Sequence, residues 1–328
     1  MASRASFIGG RRLPLLGRSG GGAFITGDRM LLALCGLAGL LTVAVLVEVV
    51  YQVVHGASPA ISRFGLSFIG RSRWAANFGV FGAAAPIYGT FFSALIALII
   101  ATPLGIAIGL YLSMMASPAV RAVVGPLVEM LAAIPSVIVG FWGFTVLAPF
   151  IYKHVEPFLH NVFGFIPLFG EPTAPGYSIF TAGVGLTVMV LPIIAALSRD
   201  LFLTVPAELT DGAAALGATR WEIIRGVVLP TTISGVAAAT VLGLGRALGE
   251  AIAVTQMIGD GAGIPNSLFL PGISLASRVA TEFNTPESPL HLPSLYYLAL
   301  ILLVIGLVTS LLARLIAGRF DVQRTLAR

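Results

Sequence analysis

A chain of 328 residues in which 57% are apolar and only 10% are charged has too little polar surface for a water-soluble fold, where about a quarter of the residues carry charge. Its net charge of +5 would suit a nucleic acid partner, but in so apolar a protein Lys and Arg report orientation in a bilayer instead. The only cysteine, Cys35, excludes an intramolecular disulfide.

A bilayer core needs about 20 mostly apolar residues per helix, and the long charge-free stretches supply six candidates, which predicts an all-α polytopic membrane protein. Residues 1–29, rich in Gly and Arg without apolar periodicity, are expected to be a disordered tail. Span one, 30–51, is broken only by Glu48 and exceeds the roughly 7–15 apolar residues of a cleavable signal, so it is expected to be retained. A loop, 52–85, leads to span two, 86–113, where Gly105 and Gly109 form a small-residue pair suited to close helix approach.

Span three, 127–151, contains Pro135-Ser136, expected to kink or unwind the helix and offer backbone groups to a cavity. Glu129, near its start, and Glu48 read as interface residues. The next loop, 152–177, holds His154, Glu156 and His160, but a metal needs three or four convergent ligands and none is assigned. Span four is 178–198. In the segment from Arg199 to Val227, Pro206 suits a first helical turn, Ala-rich residues follow through Leu216, and Gly217 stands where a left-handed cap ends a helix. Thr219 with Glu222 then forms a capping box for a second helix.

Span five, 228–258, carries Arg246 near its middle and Glu250 four residues on, on one helix face. A loop, 259–292, span six, 293–314, and a tail, 318–328, complete the chain. The organisation expected is a tail 1–29, a first helix with its loop 30–85, a core 86–317 enclosing the short helix 206–217, and the C-terminal tail.

Orientation follows from charge. With the amino terminus inside, the five arginines of residues 1–29, together with Arg121, Arg199, Arg220, Arg225, Arg314, Arg319, Arg324 and Arg328, face the cytosol. Only Arg63, Arg71, Arg73, Lys153 and Arg278 lie outside. The excess places both termini in the cytosol.

The segment Asp211-Gly212-Ala213-Ala214-Ala215-Leu216-Gly217, then nine residues, then Val227-Val228-Leu229-Pro230, resembles the cytosolic signature of binding-protein-dependent ABC importer permeases. That signature reads E-A-A, three residues, G, nine residues, I-x-L-P. Here Asp211 replaces Glu, Gly212 the first Ala and Val227 the Ile. Three further stretches are similar to the phosphate-specific (Pst) permeases, PstC-like more than PstA-like. They are Ile87-Tyr88-Gly89-Thr90, Ala133-Ile134-Pro135-Ser136-Val137 with Gly140-Phe141-Trp142-Gly143, and Gly245-Arg246-Ala247-Leu248-Gly249-Glu250. One departure is Ala251-Ile252 where these permeases carry Thr-Met, which weakens any hydroxyl ligand beside Glu250.

The resemblance implies a type I (MetI-like) importer permease fold. It implies a heterodimer with a PstA-like permease, a PstB-like ATPase dimer in the cytosol and a PstS-like phosphate-binding protein outside. It also implies that the 206–217 helix couples to the ATPase through Asp211, Gly212, Ala213 and Gly217, with Leu229 and Pro230 opening the span behind it. No cofactor is expected.

Ionisable residues inside a span are costly and face a cavity or a partner. Arg246 and Glu250 are therefore either a structural ion pair or the pathway itself. In the second case Arg246 meets a crossing anion, since its planar fork suits phosphate oxygens, and Glu250 tempers the field so that the anion can leave. Pro135 and Ser136 complete this pathway set. A nucleotide-binding P-loop needs a lysine after glycine, and the only lysine is Lys153 in an external loop, so ATP hydrolysis belongs to a partner and the chain is not itself an enzyme. Sulfate or molybdate import, an ion-coupled carrier and a scaffold that transports nothing are the alternatives.

Overall fold

The computed structural model describes residues 21–319, which form helices and loops with one isolated bridging pair, Ala75 with Val80. Six helices are long and apolar enough to cross a membrane. The first, α1 (Gly21–Phe64), takes in residues 21–29 that composition assigned to a tail; residues 1–20 of that tail, and 320–328 of the C-terminal tail, lie outside the described residues. The described residues fall into two units that divide after Gln52. In the first unit the apolar side chains of α1 from Met30 to Val50 stand exposed, as on a helix whose solvent is hydrocarbon.

In the second unit, α2 (Ala84–Leu110) packs along α5 (Ile179–Leu203), and the contact is made by small residues. A Cβ on Gly105 would stand 2.9 Å from Ile194, and one on Gly109 would stand 2.9 Å from the Arg199 backbone nitrogen. This is the close approach that the Gly105–Gly109 spacing predicts; in hydrocarbon, where apolar burial gives little, such packing is what joins helices. Ala94, Ala97, Ala101, Leu186, Val190 and Ile194 fill the core between them.

The expected third span 127–151 is two helices, α3 (Pro118–Ala132) and α4 (Ser136–Phe163). Ser117 caps α3, its Oγ accepting from the Val120 N–H at 3.3 Å, and Pro118 fits the first turn because its missing N–H would have no partner there. Pro135 adopts an extended conformation between the two helices, so the chain breaks where a kink was expected. Glu129 on α3 is not simply an interface residue: its Oε1 lies 2.8 Å from Arg199 on α5, which ties the two helices together.

After α5 come α6 (Ala207–Ala215), α7 (Arg220–Gly249), α8 (Ile252–Ile258), α9 (Leu275–Glu282) and α10 (His291–Arg319). The expected continuous span 228–258 is thus divided between α7 and α8. At the bundle end opposite α6, Phe68, Phe81, Leu275, Leu295 and Leu298 form a second apolar cluster. Thr90 on α2 holds α9 in place, its Oγ1 accepting from the Leu275 N–H at 2.8 Å. Gly89 admits the neighbouring chain, since a Cβ there would lie 2.1 Å from the Ile273 carbonyl oxygen.

Candidate functional site

Arg246 lies in the last turn of α7, not at mid-span, because α7 stops at Gly249. Its side chain is exposed and lines a cavity of ≈ 600 Å³ with Ser310 and Arg314 of α10, the walls being otherwise apolar, from Ile193, Val241 and Leu242. The break also undoes the shared helix face expected for Arg246 and Glu250. Glu250 is extended (φ −74, ψ 115), and no ion pair joins it to Arg246 among the described residues. Its Oε1 instead accepts from the Ala253 N–H at 3.3 Å, which caps the first turn of α8. Of the two alternatives for this pair, the structural ion pair is absent among the described residues.

Pro135 is exposed and Ser136 half-buried at the start of α4. The first turns of α4 pack on α8: a Cβ on Gly140 would stand 2.9 Å from the Ala253 Cα, and one on Gly143 would stand 2.1 Å from the Met257 sulfur. Each helix of this packed pair begins just after a break in the chain, α4 after Pro135 and α8 after Glu250, and at such breaks free backbone groups can face a cavity without facing lipid.

At the other site, α6 spans 207–215, shorter at both ends than the 206–217 expected; Pro206 precedes it in an extended conformation. Gly217 has φ +86. Around it the Gly217 N–H donates to the Ala214 carbonyl at 2.9 Å and the Ala218 N–H to the Ala213 carbonyl at 3.1 Å, a Schellman termination. Thr219 and Glu222 form the expected box: the Thr219 N–H donates to Glu222 Oε2 at 2.7 Å, and the Glu222 N–H donates to Thr219 Oγ1 at 3.4 Å.

Asp211 and Gly212 are exposed, and nothing lies within 4 Å of a Cβ built on Gly212. Ala213 is half-buried and packs with Ala218 and Leu229 around Phe202, Ile223 and Val228. Pro230 is exposed at the start of the regular part of α7. The outward face of this segment instead carries Leu209, Leu216 and Trp221, which are 50%, 91% and 65% exposed.

Two groupings escaped the sequence because they join residues distant along the chain. Arg314 reads as a flanking cation until α10 is laid beside α7. The buried Arg278 on α9 pairs with Glu282, which also accepts from Trp74 Nε1–H at 2.9 Å and lies 2.7 Å from His291 Nε2. His291 Nδ1 accepts from the Glu287 N–H at 3.1 Å, so the proton between His291 and Glu282 is on Nε2. Burial alone would raise the Glu282 pKa, but Arg278 and the hydrogen bonds from His291 and Trp74 hold it below its ordinary value.

Residues 101–322 match the family described as binding-protein-dependent transport system inner membrane component. The chain is 42% identical over 281 residues, 84% of its length and 87% of the relative's, to the phosphate transport system permease protein PstC of Pasteurella multocida. It is 39% identical over 304 residues, 92% and 93% of the two lengths, to that of Mesorhizobium japonicum. Among solved structures, a chain of a bacterial alginate ABC transporter in complex with its alginate-bound periplasmic protein superposes with a TM-score of 0.60, covering 90% of this chain and 96% of that one at 17% identity. That likeness supports the fold.

Proposed function

The chain belongs to the binding-protein-dependent transport system inner membrane components, and on that premise we propose that it is one of two permease subunits of an ATP-driven phosphate importer. It is a multi-pass membrane protein that forms half of the translocation pathway and hydrolyses nothing itself. A second, PstA-like permease completes the pathway, a PstB-like ATPase dimer drives it from the cytosol, and a PstS-like protein delivers phosphate from outside. Both termini are cytosolic, which puts α6 on the ATPase side.

The observation that carries this reading is Arg246: a guanidinium in a membrane helix, lining a large apolar-walled cavity, with no ion pair among the described residues. Such a charge is expensive in hydrocarbon, and a passing oxyanion neutralises it while accepting bidentate hydrogen bonds. Glu250 sits at the hinge between α7 and α8, and α8 packs on α4, the helix that opens at Pro135 and Ser136. Motion of α7 relative to α8 therefore changes how Arg246 faces the pathway.

The push arrives through α6. Asp211 and Gly212 offer a charge and an unobstructed backbone to the ATPase, Leu216 and Trp221 offer apolar contact, and Ala213 with Leu229 joins α6 to the foot of α7. The test is to purify the chain with its co-expressed partners, reconstitute the complex in lipid vesicles and measure ATP hydrolysis. Stimulation by phosphate-loaded binding protein supports the reading. Stimulation by sulfate or molybdate alone would reassign the substrate.

A further inference from the structure

The cavity beside Arg246 holds a second guanidinium. Arg314 enters it from α10, Ser310 adds an exposed hydroxyl one turn earlier, and no carboxylate lines the wall. Neither arginine makes an ion pair or hydrogen bond among the described residues. Two like charges on one largely apolar wall each raise the energy of the other. A cation whose only task is to orient a helix end does that task equally well turned to the headgroups. Two uncompensated guanidiniums around one space call for an anion between them.

The two arginines stand at different depths. Along the groove between α7 and α10, Leu248 shares a cavity wall with Ile305, whereas Ala237 shares one with Leu312. Arg314 thus reaches in from the α6 end, and Arg246 lies deeper. Resting on the reading of Arg246 as the pathway cation, we infer that Arg314 is a second oxyanion contact, which draws the anion from Arg246 toward the α6 end and sets the rate of its exit. Its ligand is a small tetrahedral oxyanion with at least one negative charge, held by the guanidinium and the Ser310 hydroxyl. The same chemistry is present in an anionic lipid headgroup, so the test separates the two.

The complete complex is reconstituted with this chain unaltered or carrying R246Q, R314Q or R314K. Phosphate uptake and ATP hydrolysis are measured in vesicles of neutral phosphatidylcholine and in vesicles containing phosphatidylglycerol. R314Q is expected to lower the maximal uptake rate about tenfold in both lipids, the effect of losing one charged hydrogen-bond donor, with little change in the phosphate concentration at half-maximal rate and partial recovery in R314K. Because Cys35 is the only cysteine of the chain, a C35S background makes a second readout possible that does not need turnover. In the assembled C35S complex with cysteine-free partners, S310C should be labelled by an anionic methanethiosulfonate, and inorganic phosphate should slow that labelling only while Arg314 is present.

Parental uptake in R314Q, a defect confined to phosphatidylglycerol vesicles, or labelling indifferent to phosphate would each overturn the inference. R246Q distinguishes the two levels of failure. Uptake lost in R246Q but normal in R314Q removes Arg314 alone, whereas normal uptake in R246Q removes the pathway reading beneath it.

Discussion

Gly140 on α4 faces Ala253 on α8 so closely that a Cβ on Gly140 would stand 2.9 Å from the Ala253 Cα. This contact packs the helices that follow the breaks at Pro135 and Glu250 against each other. Filling it with G140L should force the two helices apart, destabilising the protein by about 1–3 kcal/mol as overpacked cores do, and should lower phosphate uptake. Thermal unfolding in detergent and uptake in vesicles check this; parental values in both would show that the contact does not set the register of the breaks.

Glu250 caps the first turn of α8, and the proposed pathway gives it a second, separable task, to temper the field of Arg246. E250Q keeps an acceptor for the Ala253 N–H, so stability should change by less than about 0.5 kcal/mol, while E250A should lose about 1 kcal/mol with the cap. Without the negative charge the anion binds more tightly and leaves more slowly. E250Q should therefore lower both the phosphate concentration for half-maximal uptake and the maximal rate. An unchanged pair of constants would leave Glu250 with the capping task only.

Gly217 ends α6 in a conformation that other residues adopt at a cost of about 1–2 kcal/mol. In G217V the Schellman turn should loosen and α6 should lose its fixed relation to the foot of α7. ATP hydrolysis should then persist while its stimulation by phosphate-loaded binding protein falls. Stimulation equal to that of the parent would remove the turn from the coupling route.

The Trp74–Arg278–Glu282–His291 network carries a pH signature. Its fold holds Glu282 ionised, so the folded chain binds fewer protons there than the unfolded one. The stabilisation is complete above the ordinary value of 4.5 and is lost as pH falls below it toward the depressed folded value. E282Q strands the buried Arg278 and should cost about 3 kcal/mol at neutral pH, the lower end for a broken buried pair because Asp260 lies 3.6 Å from Arg278. The gap in Tm between parent and E282Q should narrow on acidification below pH 4.5. A gap that stays constant would contradict the assignment.

Local chemistry made much of this legible. Charge-free runs located the six spans, the Thr219–Glu222 box and the Gly217 turn are properties of a few adjacent residues, and Gly105 with Gly109 announced the α2–α5 contact. The break after Gly249 was not legible, because Ala251 to Ile258 is as apolar as the helix before it. What ends α7 there is tertiary: the Ser178 N–H donates to the Met257 carbonyl at 3.1 Å, and Gly140 and Gly143 fix α8 against α4. The cavity shared by Arg246 and Arg314 escaped for the same reason, since helix apposition is written in no local spacing.

The proposed pathway turns on Arg246 as the cation that meets the crossing anion. The most direct measurement is radiolabelled phosphate uptake by vesicles holding the complete complex with R246Q, alongside confirmation that the four kinds of subunit still co-purify. Loss of a charged hydrogen-bond donor of this kind predicts uptake reduced about tenfold or more with assembly intact. Uptake at the parental rate would contradict the account.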